Sequence, residues 1–135
     1  MRNLLLFGLL TIAMLPLLAG CGAGDNMAYV EGIVTIDGEP VEGVEITFEP
    51  QAEGGSPSIG ITGSSGHYEA MFTAERKGAQ IGKHTVRIAA TQYDEEGNET
   101  VLAEIPPEYA EESTVEFEVK PGNNTFDLDV ETAPE

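Results

Sequence analysis

Apolar side chains recur at every second position in several short stretches of this chain, and no other feature constrains its fold as strongly. The stretches cover residues 30–36, 44–48, 59–61, 68–72, 84–90, 115–119 and 126–130. A period of two is typical of strands that bury one face, so Ile59 and Ile61 are expected to face the core with the other alternating residues. A helix is predicted only as one turn over residues 108–112, after Pro106 and Pro107. The pattern predicts an all-β, antiparallel β-sandwich of about seven short strands.

Turn residues separate these stretches. The sequence Asp37-Gly38-Glu39-Pro40 lies between the first two of them. Glycine accepts a positive φ and proline interrupts a hydrogen-bonded ladder. We therefore predict that stretches 30–36 and 44–48 form a connected pair of strands.

The N-terminal region has the layout of a signal peptide. Arg2 gives it a positive charge, and residues 4–18 are apolar apart from Gly8, Thr11 and Pro16. This run is shorter than the stretch of about twenty apolar residues that spans a bilayer, and small residues end it. The sequence Leu18-Ala19-Gly20-Cys21 resembles the lipobox of bacterial lipoproteins, which implies that Cys21 is acylated and becomes the first residue of the mature chain.

Cys21 is the only cysteine in the chain. A lone cysteine in an exported protein has no disulfide partner, and lipidation would use its thiol to hold the protein at a membrane. The alternative is a secreted protein whose cysteine lies at the cleavage site by coincidence. The lipoprotein interpretation predicts a signal peptide at 1–20, a lipidated cysteine and flexible tether at 21–28, the sandwich at 29–131 and a tail at 132–135. An aspartate after the cysteine commonly retains such proteins at the inner membrane, and Gly22 in that position favours the outer membrane.

The chain is strongly acidic. It carries 24 Asp and Glu against 6 Lys and Arg, and loss of residues 1–20 removes one arginine and no acid, which leaves a formal charge of −19. Phosphate backbones would repel such a protein, so nucleic acid is excluded as a partner. We expect the lipid, and not electrostatic attraction, to hold the protein at the membrane.

Three segments resemble the carboxypeptidase regulatory-like domain: GIVTIDGEPVEGVEITFEP, GITGSSGHYEA and IGKHTVRI. The resemblance runs from about Tyr29 to Val130 and implies a transthyretin-like or immunoglobulin-like Greek-key sandwich. The C-terminal segment IPPEYAEESTVEFEVKPGNNTFDLDV is similar to the end of small bacterial lipoproteins of uncharacterised function. Gly63 departs from the family, which commonly has aspartate there. This resemblance implies an architecture and leaves function open.

Enzymatic chemistry has few candidate residues in this sequence. An active site would require His67 and His84 to meet in one cleft with an acid or with Arg87. A zinc carboxypeptidase would need a catalytic unit for which the chain has no room. A transthyretin-like hydroxyisourate hydrolase would carry a Tyr-Arg-Gly-Ser ending that this sequence lacks. We therefore expect no enzyme, and structural or surface roles for both histidines.

The acidic residues suggest two candidate cation sites. If residues 121–124 form the loop of a hairpin, the register places Glu118 opposite Asp127 and Glu116 opposite Asp129. Opposed like charges destabilise a sheet, and Ca²⁺ or Mg²⁺ could compensate there or at the loop that contains Asp94 and Glu96. The favoured alternative is a solvated acidic face that opposes aggregation. No other cofactor is expected.

Together these features predict a lipid-anchored, non-enzymatic envelope protein that acts as a binding or structural module. An envelope protein or a glycan is the expected partner. The alternative is a carbohydrate or small-ligand binder with an aromatic platform, for which Tyr29, Tyr93 and Tyr109 are the candidates.

Overall fold

The alternating stretches form two main sheets in the computed structural model of the protein, which describes residues 26–132. These residues contain fourteen strands and one short 3-10 helix, η1 (Pro107–Tyr109). The strands are β1 (Met27–Ile36), β2 (Glu39–Pro40), β3 (Glu45–Pro50), β4 (Ser58–Ile61), β5 (His67–Glu69), β6 (Met71–Thr73), β7 (Arg76–Lys77), β8 (Ala79–Gln80), β9 (Gly82–Ala89), β10 (Thr91–Tyr93), β11 (Glu99–Val101), β12 (Glu116–Val119), β13 (Asn123–Thr125) and β14 (Leu128–Val130). The prediction of an all-β sandwich is confirmed.

The first sheet is built around β1, which pairs on both of its edges. On one side it pairs antiparallel with β2, β5 and β8, and on the other it pairs parallel with β13 and β14. The antiparallel prediction therefore fails for the C-terminal strands. Met27 and Ala28 belong to β1, so the strand begins within the segment predicted as a tether.

The second sheet has the order β12-β9-β3-β4-β6-β7. All of its pairings are antiparallel, and the ladder shifts register between Met71 and Thr73. Strands β10 and β11 form a separate two-stranded ribbon. The predicted helical turn is confirmed as η1, which begins at the second proline of the Pro106-Pro107 pair.

The core lies between the two main sheets, and Phe48 is at its centre. Phe48 belongs to the second sheet. Its ring contacts the rings of Tyr68 on β5 and of Phe126 between β13 and β14, and its centroid lies 5.9 and 6.0 Å from theirs. It also contacts Phe117 at 6.1 Å and His84 at 6.3 Å on its own sheet. One fully buried side chain thus joins the aromatic residues of both layers.

The turn between β1 and β2 has the predicted position. Asp37 and Gly38 both have positive φ, at 52° and 82°, and Ile36 pairs with Glu39 across them. This is the two-residue turn that favours an Asp-Gly sequence. However, β2 ends after Pro40 and β3 lies in the other sheet, so the predicted pairing of stretches 30–36 and 44–48 is wrong.

The predicted orientation of β4 is also wrong. Ile59 and Ile61 point outward, with 40% and 63% of their surfaces exposed. The inward positions include Gly60, where a Cβ atom would lie 2.7 Å from a ring carbon of Tyr68. Because the Tyr68 ring fills the core above this strand, only a small residue fits beneath it.

The predicted C-terminal hairpin does not form. Strand β12 pairs with β9, and the chain then crosses to the first sheet, where β13 and β14 pair with β1. The buried Asn124 side chain holds this crossing. Its Oδ1 accepts from the Lys120 amide at 2.9 Å, and its Nδ2 donates to the carbonyls of Lys120 and Tyr29 at 2.7 and 3.1 Å.

We expect Phe48→Ala to lower the free energy of unfolding by about 3–5 kcal/mol, because it leaves a cavity bordered by both sheets. Urea unfolding of the full chain measures the change. Phe72→Ala is the matched control, since Phe72 is only half-buried and has Arg76 5.7 Å from its ring. Equal losses for the two variants would contradict a central role for Phe48.

Candidate functional site

An open cleft of about 1190 Å³ lies at the end of the sandwich where β1 finishes. The ribbon β10–β11 and the segment 103–111 form its walls, and Asp37 and Thr132 lie at its border. Its apolar lining includes Val101, Ala103 and Ile105. No lysine, arginine or histidine is among the described residues that line it.

The ribbon presents one face to this cleft. Thr91 pairs with Val101 and Tyr93 pairs with Glu99, so these four side chains share a face. On the opposite face, Gln92 lies over Gly43. The Leu102 amide donates to the Ala90 carbonyl at 2.7 Å and fixes the base of the ribbon. The exposed side chains of Val101 and Tyr93 therefore extend the cleft wall outward, at 56% and 69% exposure.

The opposite wall is held by Arg87. Its Nη1 donates to the carbonyls of Ala110 and Glu111, at 3.1 and 2.6 Å. Its Nε donates to Glu49 Oε2 at 2.7 Å, which anchors the guanidinium on the second sheet. The Ser113 hydroxyl also donates to the Val86 carbonyl. These bonds tie a segment with no strand pairing of its own to the sandwich.

The cleft carries acidic groups of two kinds. The Asp37 carboxylate accepts two hydrogen bonds from Thr132, one from its amide at 2.9 Å and one from its hydroxyl at 2.5 Å. Those hydrogen bonds hold the pKa of Asp37 below its ordinary value of 3.8. Glu104, Glu108 and Glu111 are exposed, and within residues 26–132 their carboxylates have no hydrogen bond or ion pair. The cleft thus combines an apolar lining with free negative charges.

The acidic residues predicted to bind a cation are not brought together. Glu118 lies opposite Lys83 and Glu116 opposite Thr85 on β9, whereas Asp127 and Asp129 lie beside β1. Asp127 accepts from the Ile33 amide at 2.8 Å. Asp129 accepts from the Thr35 hydroxyl and the Gly38 amide, at 2.7 and 2.9 Å. These two carboxylates serve hydrogen bonds of the first sheet.

The loop that contains Asp94 and Glu96, the second predicted cation site, is a turn held by its own hydrogen bonds. Asp94 Oδ1 accepts from the amides of Glu96 and Asn98, at 2.9 and 2.8 Å, and its Oδ2 accepts from the Asn98 side chain at 2.9 Å. The bond from the Asn98 side chain is the main cause that lowers the pKa of Asp94. Across residues 26–132, no group of three or more His, Cys, Asp or Glu side chains could hold a metal ion.

The two histidines occupy different sheets. His84 on β9 is buried and its Nε2 lies 2.6 Å from the Gln80 carbonyl. His67 on β5 is exposed and its Nε2 lies 3.1 Å from Glu31. Arg87, the third residue considered for catalysis, donates hydrogen bonds to Glu49 and to two backbone carbonyls.

The three candidate tyrosines lie on different elements. Tyr29 is on β1 and donates to Glu31 at 3.1 Å, while Tyr109 on η1 packs against the core. Partial desolvation and the Glu31 carboxylate raise the pKa of Tyr29 to about 12. Tyr93 is the candidate on the cleft side of the ribbon. Cys21 lies outside the described residues.

No sequence motif predicts this cleft. Its residues Glu104, Ile105 and Glu108 belong to no motif. A signal was nevertheless present, since residues 102–114 contain no alternating pattern between two stretches that do. A long connection of this kind often carries function.

Comparisons with known proteins found partial likenesses among solved structures alone. No family model matches the sequence, and no curated protein matches it. Among solved structures, a DUF3823 family protein from Parabacteroides merdae aligns with 78% of this chain and 46% of its own, at 14% identity and a TM-score of 0.47. BcpA, the major pilin subunit of Bacillus cereus, aligns with 78% of this chain and 29% of its own, at 16% identity and a TM-score of 0.44.

A 9R-lipoxygenase from Cyanothece PCC8801 aligns with 79% of this chain and 16% of its own, at 13% identity and a TM-score of 0.43. The chain spans less than half the length of each of these proteins. Within residues 26–132, no helix has the length and hydropathy required to cross a membrane.

We expect Asp37→Asn to reduce the loss of stability in acid. Because hydrogen bonds lower the pKa of folded Asp37 below 3.8, its ionised form stabilises the fold above that value, and this contribution disappears as the pH falls through the folded pKa. Melting temperatures of the full chain between about pH 7 and about pH 2 measure it. Asparagine tolerates the positive φ of this position, so the backbone should be unchanged. The melting temperature of the variant should be lower than that of the native protein near neutral pH, and the two should become equal in acid. A constant difference would contradict this linkage.

We expect Arg87→Met to loosen the wall formed by residues 106–113, because it removes two bonds to carbonyls while it keeps an apolar stem. Hydrogen exchange of that segment should rise at least about threefold, allowing for the partial exposure of Arg87. Exchange in β3 and β9 should stay unchanged. Glu49→Gln is the control, since it removes the charge of the partner and leaves both carbonyl bonds. An equal rise in both variants would assign the effect to the ion pair instead.

Proposed function

We propose that this protein is a lipid-anchored, non-enzymatic module of the bacterial envelope, which binds a partner at the end of the sandwich remote from its anchor. The observation that carries the proposal is the start of β1 at Met27, six residues after Cys21. Five intervening residues reach at most about 20 Å. An acylated Cys21 would therefore keep this end of the sandwich close to the membrane.

The direction of β1 then orients the domain. Ten residues of strand extend about 30 Å from Met27 to Ile36. The cleft is bordered by Asp37, the residue that follows β1, and by Thr132 bonded to it. In a tethered protein the cleft would face away from the bilayer, where a partner in the envelope could reach it.

Two features support a binding or structural role in preference to catalysis. His67 and His84 lie in different sheets. The Arg87 guanidinium is engaged by one carboxylate and two backbone carbonyls. Gly22 favours the outer membrane as the membrane that holds the protein.

A second candidate function is favoured by the exposed ring of Tyr93. An aromatic side chain at the mouth of a cleft is a common contact for a carbohydrate or small ligand. Tyr29 and Tyr109 lie on other elements and add no platform on the same face of the ribbon. Capture of a glycan instead of a protein in the experiment below would favour this candidate.

We expect Cys21→Ser to move the protein from the membrane fraction to the soluble fraction, because it removes the only thiol that can carry the lipid. Labelling with a clickable fatty acid should mark the native chain and leave the variant unlabelled. Gly22→Ala is the control for substitution near the cleavage site. Unchanged membrane association of an unlabelled variant would overturn the anchor.

Crosslinking in intact cells tests the binding role. A discrete envelope protein recovered with the anchored form, and absent from the Cys21→Ser sample, would support a tethered adaptor. Recovery of no specific partner from either form would contradict a binding role and leave a structural one.

A further inference from the structure

We propose that the cleft between the ribbon and segment 103–111 binds an extended peptide segment rich in lysine or arginine. This inference rests on the proposed role as a binding module and does not depend on the lipid anchor. The cleft unites exposed apolar side chains with unpaired carboxylates, and that combination selects the chemistry of the occupant.

The apolar part of the argument comes from the ribbon. Val101 and Tyr93 are 56% and 69% exposed, and the β10–β11 register puts both on the face that lines the cleft. Their surface continues into the half-buried Ala103 and Ile105. Large apolar side chains exposed together at one site indicate a contact surface for another molecule.

The acidic part comes from the opposite wall, segment 103–111. Glu104, Glu108 and Glu111 line the cleft, and within the described residues none of their carboxylates has a hydrogen bond or an ion pair. No basic side chain lies among the described residues of the lining. A cationic occupant is therefore complementary, and the charge of the whole protein would speed its approach.

Lysine and arginine side chains can contact both the apolar surface and the carboxylates of the cleft. Their methylene stems pack along apolar surface while their charged heads reach outward to polar groups. The stems would lie on Val101 and Ile105, and the heads would meet the glutamates at the rim. Pure hydrocarbon ligands would leave the carboxylates unpaired, and small metal ions would leave the apolar surface uncovered.

The size of the cleft favours a peptide over a small cation. Its volume of about 1190 Å³ exceeds the range of about 300–1,000 Å³ that is usual for pockets of small ligands. The cleft is also open to solvent, which leaves room for a segment of chain to enter it. The occupant would come from a basic loop or terminus of an envelope protein.

The test measures binding of a short acetylated peptide of alternating lysine and alanine to the full chain at physiological salt, by isothermal titration calorimetry. The protein is taken from solubilised membranes, or from the soluble fraction if Cys21 carries no lipid. Failure of the anchor and failure of the cleft are thereby distinguished. We expect saturable binding of this peptide and none of the matched peptide in which glutamate replaces lysine.

The decisive variant is Glu104→Gln with Glu108→Gln. Each exposed ion pair contributes modestly to binding, so loss of both should weaken it about fivefold. The control is Glu116→Gln with Glu118→Gln on β12, which removes the same charge outside the cleft. It should change binding less than about twofold, because only screened long-range attraction is lost. Thermal melting verifies that both double variants fold.

Equal weakening by the two double variants would reduce the effect to general charge attraction and overturn the proposal, as would failure of the lysine peptide to bind. A peptide with ornithine in place of lysine keeps the charge and shortens the stem by one methylene. It should bind more weakly, and Val101→Ser should weaken the lysine peptide in the same way. Undiminished binding in both measurements would refute the apolar contact. Equal or tighter binding of spermine would replace the peptide with a small polycation.

Discussion

The packing of Phe48 between the two sheets is the interaction on which the rest of the structure depends. Its ring contacts aromatic side chains from both layers, all with centroids within 6.3 Å. A sandwich of this size has a small core, and Phe48 is the buried residue at which aromatic side chains of both layers meet. The Tyr68 ring in turn decides which face of β4 is buried, because it leaves room only for Gly60 beneath it.

The return of the chain to β1 is the second constraint. After β12 the chain crosses between the sheets at Asn124, and the Phe126 carbonyl then lies so close to Gly32 that a Cβ there would be 1.8 Å away. The Tyr68 hydroxyl donates to the same carbonyl at 2.6 Å. This closure brings Thr132 to Asp37 and so completes one border of the cleft.

The cleft exists because one segment leaves the sandwich pattern and is held by side chains. Arg87 fixes one wall through backbone carbonyls, and the bond from Leu102 to Ala90 fixes the other. The walls are therefore positioned by the rigid sheets, although they contribute no strand to either main sheet. That arrangement leaves the glutamates and apolar side chains of the cleft free to contact another molecule.

The sequence by itself determined the all-β fold, most of the strands, the buried residues of β1, β3 and β9, the Asp37-Gly38 turn and the expectation of a lipid at Cys21. These features follow from local chemistry, since alternation and turn residues act over a few positions. Only the tertiary structure decided which strands pair, because that choice depends on residues far apart in the chain, as Gly32 and Phe126 are. It also decided the outward orientation of Ile59 and Ile61, the separation of Glu116 and Glu118 from Asp127 and Asp129, and the cleft, whose walls meet only after the sheets have formed.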